Sequence, residues 1–255
     1  MIYEMRTYDL KPRTQPEVVK RFGEAYEKRK ELSPLAAFWT TEIGPLNQII
    51  HVWPYQDLAE RARVRDEAVA KGIWPPKISE FVLTMRSEIM VPFPFGPAFP
   101  TGEVGPYFER RTYTYNAGDL KKIQADWEAA IEFRQTLSPV AAMWYSELGA
   151  LNKFVHIWPY KSMNERMETR QKAVASGKWP PASKDPATGQ MRYTMQAQEN
   201  KILTAAPFSP LRLGSVSGMA DDPDPPCPAP PDAGSVHATL MTGPELMLAG
   251  RVIHI

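Results

Sequence analysis

Sliding this 255-residue sequence along itself by 105 positions lays residues 3–76 on residues 108–181 without a gap, and 31 of the 74 superposed positions are identical. Such a repeat constrains the fold before any single residue is read, because each copy must be one supersecondary unit and the same elements must form twice. The best-kept block runs from Leu32-Ser33-Pro34 to Asn47 against Leu137-Ser138-Pro139 to Asn152. It continues as His51-Val52-Trp53-Pro54-Tyr55 against His156-Ile157-Trp158-Pro159-Tyr160. Past the paired prolines the second copy gains a polar loop at 183–189, after which Leu83-Thr84-Met85 matches Tyr193-Thr194-Met195 at an offset of 110. That offset predicts an insertion of five residues. The units are then 1–98 and 106–212, joined by a proline-rich stretch at 91–100 that reads as a stiff linker.

Within one copy, residues 3–10 are rich in β-formers and read as a strand, as do 108–115. Thr14 and Glu17 have capping-box spacing, and Val18, Phe22, Ala25 and Tyr26 follow at helical period. Two extended stretches, 35–43 and 48–55, flank Gly44-Pro45-Leu46-Asn47, whose turn chemistry predicts a hairpin. Asp57 with Glu60, and Ser162 with Glu165, predict two more capped helices ending near Gly72 and Gly177. Residues 81–90 close the unit as a fourth strand. The order β-α-β-β-α-β is that of a ferredoxin-like α+β unit with helices on one face of the sheet. The tandem copy supplies a second sheet to cover the other face, so the chain is expected to form an intramolecular dimeric α/β-barrel.

The net charge is only +1, and the segment from 213 onward holds five acids against Arg251, leaving +5 on the body. With no basic run interleaved with aromatics, a nucleic-acid partner is not expected. The single cysteine, Cys227, excludes an intrachain disulfide and a cysteine metal site. The opening residues are charged at once, and no run approaches the ~18 apolar residues of a membrane helix. A cytoplasmic location without a membrane span is the expectation. Residues 213–255, with six prolines between Pro223 and Pro231, are expected to form a disordered tail.

The ordered motifs Leu-Ser-Pro, Trp, Glu, Gly-x-Leu-Asn, His-x-Trp-x-Tyr and Glu-Arg-x-x-x-Arg, closed by Ala206-Pro207-Phe208-Ser209-Pro210-Leu211-Arg212, resemble those of the NIPSNAP family over residues 1–212. The resemblance implies a dimeric α/β-barrel fold. It implies no particular reaction; eukaryotic members are associated with vesicle traffic, mitochondrial signalling and protein interaction. Chains of this fold commonly pair, which implies a homo-oligomer.

The candidate ligand-binding residues come in duplicate. Glu4, Arg6 and Tyr8 alternate on one strand face, and Glu109, Arg111 and Tyr113 repeat them. If that face lined the space between two sheets, the arginine fork could hold a carboxylate, or the charges could form an ion-pair lattice fixing sheet register. His51 and Trp53, with His156 and Trp158, share a strand face, where a histidine could serve as a general base, as an axial haem ligand, or as a hydrogen-bonded core residue. Haem rests on fold analogy alone. Trp39, Trp74, Trp144 and Trp179 read as core anchors, with the Trp-Pro-Pro pairs at 74–76 and 179–181 able to rim a pocket. Glu42 and Glu147 sit at hairpin ends, where they could serve as acids or bases but better suit turn capping or a solvated position. Arg61 and Arg65, with Arg166 and Arg170, form a basic stripe one turn apart that could meet a phosphate or a partner, although a solvated helix surface is the favoured reading. No phosphate loop, serine-hydrolase elbow or zinc motif is present, and only four histidines exist, so no metal site is expected and no catalytic residue is assigned. The residues support a small-molecule-binding protein with one pocket per repeat between sheet and helices, with an enzyme as one form of it. The alternative is a non-catalytic interaction or scaffold protein.

Overall fold

A computed structural model describes residues 1–100, 102–181, 184–185 and 187–212. The expected tail lies outside the described residues, as does part of the loop at 183–189. The elements run β1 (Ile2–Leu10), α1 (Gln15–Arg29), β2 (Ala37–Ile43), β3 (Gln48–Tyr55), α2 (Leu58–Ala70), β4 (Val82–Pro92), a two-residue β5 (Gly102–Glu103), β6 (Tyr107–Tyr115), α3 (Leu120–Gln135), β7 (Ala142–Leu148), β8 (Lys153–Tyr160), α4 (Met163–Ala175), β9 (Met195–Ala205) and β10 (Leu211–Arg212).

The eight long strands close into a barrel in the order β1-β3-β2-β9-β6-β8-β7-β4. Each half contributes four consecutive staves, and the halves join edge to edge, with β2 on β9 and β4 on β7, all antiparallel. Closure leaves no free sheet edge between the halves. The β2–β3 and β7–β8 hairpins turn through Asn47 and Asn152, both in the left-handed region at φ 56 and 58. Asparagine tolerates that conformation, which explains why Gly-x-Leu-Asn stands in both copies.

Alternation divides each strand between two environments. Tyr3, Met5, Ile50, Val52, Trp39 and Met90 point into the barrel with Phe108, Trp144, Val155, Ile157 and Leu203, a core built from both halves. Tyr3 stacks on Trp144 at 4.7 Å, and its counterpart Phe108 meets Trp39 at 5.6 Å, so each half's first strand is anchored by the other half's tryptophan. Farther along the same faces the filling turns polar. Lys201 donates to Gln48 (2.8 Å) and pairs with Glu199 (3.3 Å), Lys153 pairs with Glu88 (2.6 Å), and Arg110 is buried beside Glu199.

The opposite strand faces carry the helices. Val18, Phe22 and Tyr26 of α1 pack on Phe38, Ile49 and Trp53, while Ile123, Trp127 and Ile131 of α3 pack on Met143, Phe154 and Trp158. The segments leaving β4 and β9 cross between halves. Phe93 bonds to Met143 and joins the α3 cluster, whereas Ala206 bonds to Phe38 and Phe208 packs on Phe22, Phe38 and Tyr26. The proline-rich stretch expected as a linker is therefore in part strand, through Pro92, and in part packing.

Two local expectations are corrected. Thr14 does not cap α1: its backbone is already helical (φ −95, ψ −8), and its hydroxyl donates to the Lys11 carbonyl while Glu17 is held by Arg21. Asp57 and Ser162 do cap α2 and α4, accepting from the Glu60 and Glu165 amides. In the last strands Tyr8 faces Met85 but Tyr113 faces Gln198, so the structural offset is 113 and the insertion eight residues. The Thr-Met identity at 110 is a coincidence on an exposed stretch of strand, where packing does not discriminate between registers.

Because Trp39 is fully buried among residues of both halves, Trp39→Ala should cost about 3–5 kcal/mol. Urea unfolding followed by circular dichroism should show the loss in one cooperative transition; two separate transitions would mean that the halves fold independently.

Candidate functional site

Glu4, Arg6 and Tyr8 point away from the barrel interior, toward the helices, and the twin set on β6 does the same. The expectation that this face lies between two sheets is thereby corrected: Tyr3 and Met5 take that place. Glu4 is fully buried, and one oxygen, Oε1, accepts from Arg6 (2.8 Å), from Arg61 on α2 (2.6 Å) and from the Ser87 hydroxyl on β4 (2.7 Å), with Arg65 3.8 Å from Oε2. Arg6 also donates from Nε to the Tyr8 hydroxyl (2.8 Å). Burial pushes the Glu4 carboxyl up, but Arg61, Arg6 and Ser87 together outweigh it and hold the pKa down to about 2.

The second half repeats the arrangement with one change. Glu109 accepts from Arg111 (3.1 Å) and from Arg166 on α4 (2.6 Å), with Arg170 at 3.8 Å, and Arg111 reaches Tyr113 (2.6 Å). Opposite Arg111 stands Asn200, where Ser87 stands opposite Arg6. The basic stripe of α2 and α4 thus faces the strand carboxylate, contrary to the solvated helix surface that sequence alone favours.

Both histidines are buried on this face, and each ring accepts at Nδ1 from the indole of the tryptophan two residues on (2.6 Å in both halves). An indole can only donate, so Nδ1 carries the lone pair and the proton sits on Nε2. Both Nε2 atoms are buried without a partner among the described residues. Burial, reinforced by Arg6 for His51 and by Arg111 for His156, pushes both pKa values well below the ordinary histidine value. Each ring is therefore a neutral N–H donor. This does not fit an axial haem ligand, which needs the Nε2 lone pair and a proton on Nδ1 facing an acceptor where here the indole donates, and it removes the general-base role at neutral pH.

Two arginines escaped the sequence reading. Arg29 on α1 and Arg134 on α3 are buried and donate to Tyr55 (3.0 Å) and Tyr160 (3.1 Å). Arg29 lies over Trp53 and Trp74 at 4.3 and 4.6 Å, and Arg134 over Trp158 and Trp179 at 4.1 and 5.9 Å. Their retention at the repeat offset of 105 was the available signal. Trp74 and Trp179 join the group; Trp39 and Trp144 do not, since they fill the barrel. Glu42 and Glu147 are exposed.

In the second half these side chains line a cavity of about 270 Å³ bounded by Glu109, Arg111, Arg134, His156, Trp179 and Tyr193, among others. Among the described residues there is no cluster of metal-ligating side chains and no helix long and apolar enough to cross a membrane.

The NIPSNAP family model matches this chain twice, at residues 3–97 and 108–210. Protein NipSnap of Drosophila melanogaster is 25% identical over 223 residues, covering 82% of this chain and 78% of that protein. The Dictyostelium discoideum NipSnap homolog is 29% identical over 182 residues, covering 70% and 78%. Among solved structures, a Fusobacterium nucleatum protein provisionally named a monooxygenase is similar over 80% of this chain and 92% of its own, with a TM-score of 0.57 at 12% identity, a likeness of fold alone.

The geometry makes two predictions. The depressed Glu4 carboxyl contributes stability above its ordinary value of 4.5 that is lost as pH falls toward 2, about 3 kcal/mol across that window. Urea unfolding at stepped pH should show this loss, and Glu4→Gln should flatten it while destabilising the protein at pH 7. Nitrogen NMR should show both buried rings as the Nε2–H tautomer with no titration between pH 8 and 5. A shift midpoint near 6.5 for either ring would contradict the assignment.

Proposed function

The chain belongs to the NIPSNAP family, and on that premise we propose that it is a small-molecule-binding protein whose ligand occupies the helix–sheet cavity of the second half. We read the two halves as tandem ferredoxin-like units whose barrel interior supplies stability, leaving the outer faces under the helices for binding. The observation that carries the proposal is the His156 Nε2–H: a buried donor on the wall of a cavity, with no partner among the described residues. Leaving such a donor unsatisfied costs about 1–3 kcal/mol, a penalty that a bound acceptor removes. The surrounding guanidiniums and tyrosine hydroxyls extend the set of donors, so the site is built to receive an electron-rich group. The same set would stabilise negative charge developing on a bound carbonyl oxygen, which is the chemistry open to it as an enzyme.

Native mass spectrometry of the purified full chain should show a stoichiometric copurified mass. His156→Gln should reduce its occupancy about tenfold. A bare chain mass for both proteins would move the weight to an interaction or scaffold role.

A further inference from the structure

The charge and walls of the cavity narrow its ligand to one chemical class, an inference that rests on the reading of the cavity as a binding site. The lining holds three guanidiniums, those of Arg111, Arg134 and Arg170, against the single carboxylate of Glu109. That carboxylate is already paired with guanidiniums: its Oε1 takes Arg111 and Arg166, with Arg170 nearby, while its buried Oε2 has no hydrogen-bond partner among the described residues. Arg134 has only neutral partners, donating to the Ser138 hydroxyl (2.9 Å) and the Tyr160 hydroxyl (3.1 Å), and forms no ion pair among the described residues. It is 3% exposed. A buried cation is costly without a counter-charge, and the face of Trp158 compensates only in part. An anion brought by the ligand completes the balance, and the planar guanidinium fork matches a carboxylate. His156 adds a neutral donor with no proton acceptor role to compete.

The walls set the rest of the ligand. Trp127 meets Trp179 nearly at a right angle at 4.7 Å, with Tyr193 and Pro181 on the same lining, so the surface offered to the ligand is an aromatic corner that a planar ring can enter. A volume of about 270 Å³ is at the small end for ligand pockets and suits a single ring with its substituents. We propose that the second half binds a small aromatic monoanion, an aryl carboxylate, with its carboxylate toward Arg134 and His156 and its ring against the tryptophans.

Titration calorimetry of the full chain with benzoate, benzamide and inorganic phosphate separates the contributions. Benzoate should bind once per chain, with benzamide and phosphate each at least about tenfold weaker, since either loses the charge or the ring. Arg134→Met should weaken benzoate about tenfold and leave benzamide unchanged. Because Arg134 is buried, Arg170→Gln, with a side chain 42% exposed, provides a second variant that keeps the fold and should weaken benzoate about fivefold. Benzamide binding as tightly as benzoate overturns the anion, and phosphate binding as tightly overturns the ring; either leaves small-molecule binding standing. If none of the three binds while native mass spectrometry finds another bound compound, the ligand class falls alone. If none binds and the chain is bare, both proposals fall.

Discussion

The outer layer depends on one buried carboxylate in each half. Glu4 and Glu109 sit on the central staves of the barrel, at positions that alternation turns toward the helices, where an unpaired carboxylate would be untenable. Each is paired through one oxygen with guanidiniums from its own strand and from the first turn of the helix after the hairpin, so one anion fixes both the rotamer of Arg6 or Arg111 and the seat of α2 or α4. The capping residues Asp57 and Ser162 start those helices at the position that delivers Arg61 and Arg166 to the strand. Local helix chemistry and long-range electrostatics thus agree on the same geometry, which is the consistency that a well-specified fold requires.

A carboxylate that gathers several arginines leaves a surplus of positive charge beneath the helices. The structure handles this surplus with neutral partners: tyrosine hydroxyls for Arg6, Arg29, Arg111 and Arg134, and indole faces under Arg29 and Arg134. The same tryptophans that support the arginines also fix the histidines, since the Trp53 and Trp158 indoles donate to Nδ1 while their faces meet guanidiniums. Arginine, tryptophan and histidine are therefore one interlocked group in each half. Among the described residues it leaves the Nε2 of His51 and His156, and in the first half two nitrogens of Arg29, without hydrogen-bond partners.

The repeat made most of this architecture legible, because two copies of one pattern show which positions are kept without any other sequence for comparison. Strand alternation placed Glu4, Arg6 and Tyr8 on a common face, yet alternation cannot say which face of a sheet receives the helices and which closes the barrel. That choice is made by Trp39, Trp144, Tyr3 and Phe108, whose meeting across the two halves is invisible to local patterning. Arg29 and Arg134 were missed for a related reason. An arginine in the last turn of an amphipathic helix reads as a solvated C-terminal charge, which the helix dipole favours, and only the tertiary placement of Tyr55, Tyr160 and the tryptophans shows it to be buried. The last-strand register failed where the strand is exposed on both faces, so that neither burial nor alternation distinguished an offset of 110 from one of 113.

Duplication within one chain also allows the two sites to differ, which two identical chains cannot do. At Met5 and Arg110, Ser87 and Asn200, Leu10 and Tyr115, and Phe22 and Trp127, equivalent positions carry different side chains. Three of the four pairs lie under the helices or on the strand edge beside the carboxylate, and the second-half members are larger or more polar in each case. Ser87 gives Glu4 a third donor, whereas Glu109 lacks that hydroxyl and relies on arginines. Trp127 and Tyr115 put aromatic walls where the first half has a phenylalanine and a leucine, and both line the cavity. The barrel core, by contrast, is shared and must satisfy both halves at once. Under the helices a change in one half leaves the other half's packing intact, whereas in the barrel the exchange of Met5 for Arg110 is matched by charged neighbours such as Glu199.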